Sequence, residues 1–119
     1  MSGAAGSAER HVLPGGTPCT LLAPHMPGVR DYHVLALDGP ARGRDLDELA
    51  ALAAQTARRL GAELRGDPDA FTIVLNGASA SRRPWAHAHI VPVRTPAQKR
   101  RAFACMWLKG PLRRLERLL

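Results

Sequence analysis

Two histidines separated by a single residue, His87 and His89, are the side chains of this sequence best suited to chemistry. They lie in a largely apolar stretch, Trp85 to Val93, which is typical of a β-strand. Because side chains alternate between the two faces of a strand, both imidazoles lie on one face. Neighbouring imidazoles suit phosphate or metal chemistry, and a neutral imidazole can act as a nucleophile. We therefore expect this strand to carry the functional site.

Other polar residues are candidates to contribute to such a site. His25 follows Pro24 in a loop, His33 opens a predicted strand, and Asn76 ends another. Arg82 and Arg83 lie in the loop before the histidine strand, where cationic groups suit an anionic substrate.

Hydrophobic periodicity predicts an α+β fold around these residues, with an antiparallel sheet of four to five strands. The helix signal is strongest from Asp45 to Leu60, where apolar residues recur at three- and four-residue steps. Asp45 is expected to cap this helix, with Glu48 completing a capping box and Gly61 ending it. This helix should pack across one face of the sheet. The predicted strands span residues 19–23, 32–37, 71–75 and 85–93.

The C-terminal part of the chain is predicted to be a helical tail that starts at about residue 97. One helix is expected over residues 97–108, and a second over 112–119, separated by Gly110 and Pro111. Leucines alternate with arginines in the last segment, which makes it a basic amphipathic helix. We expect it to pack on its own domain or on a dimer partner; the alternative is a helix on a membrane surface.

The length of 119 residues fits one domain, and a hydrophobic fraction of 45% is enough to form a core. Residues 1–18 are rich in Gly, Ala, Ser and Pro and predict a disordered leader, so residues 19–119 form the expected domain. No apolar stretch is long enough to span a membrane, and no signal peptide is recognisable. The two cysteines, Cys19 and Cys105, do not form a metal-binding motif or a disulfide framework. We therefore expect a cytoplasmic protein.

The net charge of +7 is unevenly distributed along the chain. Ten of the seventeen Lys and Arg residues lie between Arg82 and the end of the chain, with Glu116 as the only acid there. This segment favours anionic partners such as nucleotides, nucleic acid or acidic lipid surfaces. A solvated basic face without a partner is an equally good interpretation of the same composition.

The order of predicted elements and histidines resembles the histidine triad superfamily of nucleotide hydrolases and transferases. The resemblance covers residues 19–94, and its family signature is three histidines at alternating positions. Two of the three are present in this sequence. The matching residues are Pro27-Gly28, His33-Val34-Leu35, the helix from Asp45, Asn76 and His87-Ala88-His89-Ile90-Val91-Pro92.

The missing histidine can be placed in two registers. In the first, Trp85 occupies the position of the first histidine, and His87 is the middle one, which the family uses as its nucleophile. In the second, His87 and His89 are first and second, Val91 replaces the third, and His89 is the nucleophile. We favour the second register because it keeps Asn76 at a familiar spacing, eleven residues before the first histidine.

The resemblance implies covalent nucleotidyl transfer at an α-phosphate, followed by hydrolysis or transfer to an acceptor. The remaining histidine and Asn76 would neutralise charge on the phosphate oxygens. His33 would lie near the leaving group, and His25 falls where the family has a ribose contact. Trp85, Arg82 and Arg83 would contact substrate. The scheme needs no metal or other cofactor, and the family is usually homodimeric.

Three other classes of function remain open at the level of sequence. A metal-binding protein would use His33, His87 and His89 as three nitrogen ligands. A non-catalytic nucleotide- or nucleic-acid-binding protein would use the basic C-terminal third. The third class is a degenerate member of the family, without one triad histidine, that serves in protein interaction.

Overall fold

The computed structural model describes residues 8–80 and 85–118 and shows an α+β fold. Five antiparallel strands form one sheet in the order β1-β2-β3-β5-β4. The α+β prediction is confirmed, with its antiparallel sheet, one main helix and helical tail. The strands are β1 Ala8–Val12, β2 Pro18–Leu22, β3 His33–Leu37, β4 Thr72–Asn76 and β5 His87–Val91, and the helices are α1 Asp45–Arg65, α2 Pro96–Trp107 and α3 Lys109–Leu118.

Helix α1 covers one face of the sheet and forms the larger apolar core with it. Leu35 and Ile90 are fully buried on this face and pack with Leu49 of α1. Alanines at positions 53 and 57 of α1 let the helix approach the strands closely, which suits a chain with few aromatic residues. This core fixes β5, the strand that carries the two histidines.

A second, smaller apolar cluster lies on the opposite face of the sheet. Val34 of β3 and Val91 of β5 pack there with Tyr32, and Ala102 joins them from α2. Helix α2 is capped by Thr95, whose hydroxyl accepts a hydrogen bond from the Gln98 N–H at 3.1 Å. The sheet is therefore packed on both faces around β5.

The disordered leader predicted for residues 1–18 is wrong for residues 8–18. Strand β1 pairs along its whole length with β2, and a turn joins the two strands. Arg59 of α1 also donates a hydrogen bond to the Glu9 carboxylate at 2.9 Å. The polar sequence of β1 hid this strand, because an exposed edge strand needs few apolar side chains. Residues 1–7 lie outside the described part of the chain.

Helix α1 differs from its prediction at both ends. Arg44 is the N-cap residue, and the Asp45 carboxylate instead accepts hydrogen bonds from the Thr17 hydroxyl and the Arg42 N–H. The helix also runs beyond Gly61 to end at Gly66 in a left-handed conformation. Gly61 is needed for close packing, because a Cβ there would lie 2.6 Å from the backbone oxygen of Asp67.

The predicted hairpin between β4 and β5 is confirmed by their antiparallel pairing. The break between the two C-terminal helices lies at Leu108, so Gly110 and Pro111 belong to α3 and do not separate the helices.

Among the described residues, we find no helix with the length and apolar character needed to cross a membrane.

Cys19 is fully buried in the larger core, and burial raises the pKa of its thiol from 9.0 to about 11, with a contribution from the Asp38 carboxylate. Between these pH values the unfolded chain releases a proton that the folded chain retains. The free energy of unfolding should therefore fall as the pH rises from about 9 to about 11. Urea unfolding of the wild type and Cys19→Ala across this range should show a steeper decline for the wild type. Parallel declines would contradict the prediction.

Candidate functional site

Strand β5 lies between β3 and β4, and their registers define the surroundings of the two histidines. His87 lies opposite Ala36 of β3 and Asn76 of β4. His89 lies opposite Val34 of β3. All these side chains point away from α1, so the prediction that both imidazoles share one face is confirmed. The small Ala36 side chain leaves room for the His87 ring.

The two imidazoles are part of a continuous chain of hydrogen bonds. The Nε2 atoms of His87 and His89 lie 3.0 Å apart, and the rings meet edge to face. The Nδ1 atom of His87 lies 3.4 Å from the backbone oxygen of Trp85. At the other end, the Nδ1 atom of His89 lies 2.5 Å from the Tyr32 hydroxyl. The chain therefore runs from Trp85 through both histidines to Tyr32.

When both rings are neutral, the carbonyl group at one end determines which atom donates in each of these hydrogen bonds. A carbonyl oxygen only accepts, so His87 donates its Nδ1 proton to Trp85. The Nε2 atom of His87 then holds a lone pair and accepts the Nε2 proton of His89. The Nδ1 atom of His89 in turn accepts the hydroxyl proton of Tyr32. This tautomer of His87 directs a nucleophilic lone pair toward the second ring.

Tyr32 is a candidate site residue that the sequence did not reveal. It lies just before β3, so its side chain falls on the face of Val34 and His89 and not on that of His33. The preceding residue, Asp31, has a φ of 59°, which changes the direction of the backbone as it enters the strand. A buried tyrosine usually finds a partner for its hydroxyl. That rule signals a hydrogen bond, but it does not identify a partner 57 residues away.

Asn76 and Trp85 lie next to the pair, as predicted. Asn76 ends β4 directly opposite His87, which brings its carboxamide to the same face. No hydrogen bond of this carboxamide occurs within the described part of the chain. Trp85 precedes β5; its backbone carbonyl holds His87, and its indole is 38% exposed.

His25 and His33 lie elsewhere, around a cavity of about 310 Å³. His33 pairs with Ile90 and therefore faces α1, on the opposite side of the sheet from the histidine pair. Its Nδ1–H donates to the backbone oxygen of Asp31 at 2.7 Å. Tyr32 also lines this cavity, so one tyrosine contacts both regions.

This geometry rules out the set of three histidine ligands that the alternative metal-binding function would need. Because His33 faces the opposite side of the sheet from His87 and His89, the three rings cannot share one ion. Within residues 8–80 and 85–118, no group of three or more His, Cys, Asp and Glu side chains is arranged to hold a metal. The pairing of His33 with Ile90 sets this arrangement, and the sequence does not give that register.

Two of the predicted site residues, Arg82 and Arg83, lie outside the described residues. The described candidates thus divide into two groups: Asn76, Trp85, His87 and His89 on one face, and His25 and His33 at the cavity near α1. Comparison with known proteins adds no further assignment. No family model matches this chain, and neither a curated protein nor a solved structure matches it.

Proposed function

We propose that this protein is a nucleotide hydrolase or nucleotidyltransferase that forms a covalent intermediate on His87. The observation that supports the proposal is the hydrogen-bonded chain from Trp85 to Tyr32, which fixes the tautomer of His87. A nucleophilic imidazole needs one nitrogen with a lone pair and the other held as a donor, and His87 meets both requirements.

In the first step, the Nε2 lone pair of His87 attacks an α-phosphorus and forms a nitrogen–phosphorus bond. The bond from phosphorus to the leaving group breaks, and the leaving atom takes the electron pair and then a proton from water. A water molecule or another acceptor next attacks the phosphorus. The nitrogen–phosphorus bond then breaks, its electron pair returns to Nε2, and the attacking oxygen loses its proton to solvent.

His89 exchanges partners when the substrate binds. With both rings neutral, its Nε2–H donates to the Nε2 atom of His87, 3.0 Å away, and it would donate to a phosphate oxygen once His87 is bonded to phosphorus. Tyr32 keeps the opposite nitrogen of His89 as an acceptor, so the proton stays directed at the phosphate. Asn76 supplies a second neutral donor across β4. His87 is only 3% exposed, so the ring enters the reaction from a largely desolvated position.

The hydrogen bonding favours the first of the two sequence registers, in which Trp85 stands in place of a histidine. His87 has the donor contact to a backbone carbonyl two residues earlier, and His89 has a hydroxyl partner instead. The register favoured from the sequence made His89 the nucleophile. We propose His87 on the basis of these contacts.

The proposal is tested by incubating the protein with adenosine phosphoramidate and with diadenosine polyphosphates, and by following products by chromatography. We expect release of AMP from at least one substrate. A denatured sample taken during turnover should carry a phosphorus–nitrogen adduct that is stable to alkali and labile to acid. Absence of turnover together with absence of nucleotide binding by calorimetry would refute the proposal.

Replacement of Tyr32 by phenylalanine should lower kcat while leaving KM nearly unchanged. The change removes the hydroxyl that orients His89 but keeps the ring in the smaller apolar cluster. Loss of one such hydrogen bond is worth about tenfold in rate. Steady-state kinetics at several pH values would measure the effect, because a re-oriented His89 should also shift the pH profile. Wild-type kinetics and pH profile in this variant would contradict the positioning role.

A non-catalytic binding function is the alternative, and the exposed basic residues of α2 favour it. Lys99, Arg100 and Arg101 follow one another on that helix and all are exposed. The same experiment separates the two functions, because nucleotide binding without turnover or adduct would identify a binding protein. The homodimer and the cytoplasmic location expected from the sequence remain predictions.

A further inference from the structure

A separate basic cavity of about 300 Å³ lies just beyond the C-terminal end of β5. Three arginines line it, and each comes from a different segment: Arg30 from the loop before β3, Arg65 from the end of α1, and Arg101 from α2. Gln98 adds an amide to the wall, and Val91 and Val93 are among its apolar lining. Guanidinium groups are thus collected around a concave surface by the tertiary fold.

The charge of this cavity is unbalanced. Arg65 donates to the Asp31 carboxylate at 2.9 Å, which neutralises one of the three guanidinium groups. Among the described side chains, neither Arg30 nor Arg101 pairs with a carboxylate. The three arginines and one aspartate leave a surplus of two positive charges. A dianion of matching size would complete the site.

Arg65 and the loop that carries Arg30 are held in place before any ligand binds. The Arg65 side chain is only 14% exposed, and its second contact is the backbone oxygen of Leu64. The loop that carries Arg30 packs directly on α2, because a Cβ at Gly28 would lie 2.6 Å from the Cys105 sulfur. Gly28 also adopts a φ of 77°, a second and independent reason for glycine at this position. Preorganised walls reduce the cost of ordering the site on binding.

We propose that this cavity binds the phosphomonoester group of a small soluble ligand. A phosphomonoester is a dianion, which matches the charge surplus, and arginine forks match its oxygens bidentately. The volume is at the lower end for small-molecule sites, so it fits a compact phosphorylated molecule and not a polymer backbone. The apolar lining contacts the carbon skeleton of the ligand.

This site is distinct from the histidine pair. Val91 lines the cavity and packs with Tyr32, and the Tyr32 hydroxyl contacts His89, so packed side chains lie between the two sites. His87 is four residues before Val91, a separation of about 13 Å along a strand. The two sites can therefore be tested independently.

The test is isothermal titration of the full chain with ribose 5-phosphate, with ribose as the probe that lacks the phosphate. We expect the wild type to bind the phosphorylated sugar and not ribose. Arg101→Gln and Arg30→Gln should each weaken binding about tenfold or more, since each removes a charged hydrogen-bond donor. Arg100→Gln is the matched control, because Arg100 is the exposed neighbour of Arg101 on α2 and does not line the cavity. It should stay within about twofold of the wild type.

His87→Ala should bind ribose 5-phosphate as the wild type does, which separates this proposal from the proposed function. Several results would overturn it: absence of binding by the wild type, equal weakening by the Arg100 and Arg101 variants, or loss of binding in His87→Ala. The last measurement is binding to vesicles that contain phosphatidic acid. Binding to these vesicles that depends on Arg101, without binding of the soluble phosphomonoester, would also overturn the proposal. Unfolding midpoints of all variants confirm that each is folded.

Discussion

The His87→Ala variant should lose the covalent adduct and about a thousandfold or more of the turnover of adenosine phosphoramidate. Alanine removes the Nε2 lone pair that attacks phosphorus. The nearest ring nitrogen, Nε2 of His89 at 3.0 Å from that atom, carries a proton in the tautomers proposed above and offers no lone pair. The adduct is measured by mass spectrometry after rapid denaturation, and turnover by product chromatography. This is the largest functional effect expected from a single change in the chain.

Two further variants show whether the loss is specific. His89→Ala should still form the adduct, at a rate reduced by about 10²-fold, because it removes one donor to the phosphate oxygens. His11→Ala should behave like the wild type, since that imidazole lies on β1 and contacts Glu9 at 2.7 Å. An adduct that persists in His87→Ala and disappears in His89→Ala would reverse the assignment and restore the second register.

Replacing Ile90 by alanine should lower the free energy of unfolding by about 2–5 kcal/mol. Ile90 is fully buried on the α1 face of β5, where it packs within the larger core. Truncation removes buried apolar area and leaves a cavity that close-packed neighbours fill only in part. Urea unfolding followed by circular dichroism gives the change in free energy.

Val12→Ala is the matched control for the stability measurement, because it also truncates a β-branched residue in a strand. Val12 lies on the edge strand β1 and is 70% exposed. Replacing Val12 by alanine should change the free energy of unfolding by about 0.5 kcal/mol or less. Similar losses in the two variants would mean that Ile90 does not contribute a packed core contact.

The parts of the fold that follow from local patterns could be predicted from the sequence. The stripe of apolar residues along α1 and the apolar runs of β3, β4 and β5 give the correct element types. The N-terminal strand could not be predicted in this way, since the polar run Glu9-Arg10-His11 has no apolar alternation. It is held instead by backbone pairing with β2 and by the contact of Glu9 with Arg59.

The candidate site, like the fold, was predictable from the sequence only in part. Alternation along one strand correctly placed His87 and His89 together, since this relation needs only the spacing of two residues. The partner of His89 depends on tertiary structure, because Tyr32 reaches it only after β3 and β5 pair. The position of His33 depends on the same strand pairing, because His33 lies opposite Ile90 and therefore on the other face of the sheet from the pair. The arginine cavity has no sequence signature, because its cations come from three distant segments.

The pairing of β1 with β2 has a practical consequence for any shorter version of the protein. A chain that begins at residue 19, the domain boundary predicted from the sequence, would lack β1 together with the Thr17 hydroxyl that binds Asp45. Strand β2 would then become the outer edge of the sheet, with one row of backbone N–H and C=O groups open to solvent. The edge formed by β1 is charged and exposed, whereas β2 is more apolar and buries alternate residues. Truncation at this point would therefore replace a polar edge with one that is more prone to strand addition from another molecule.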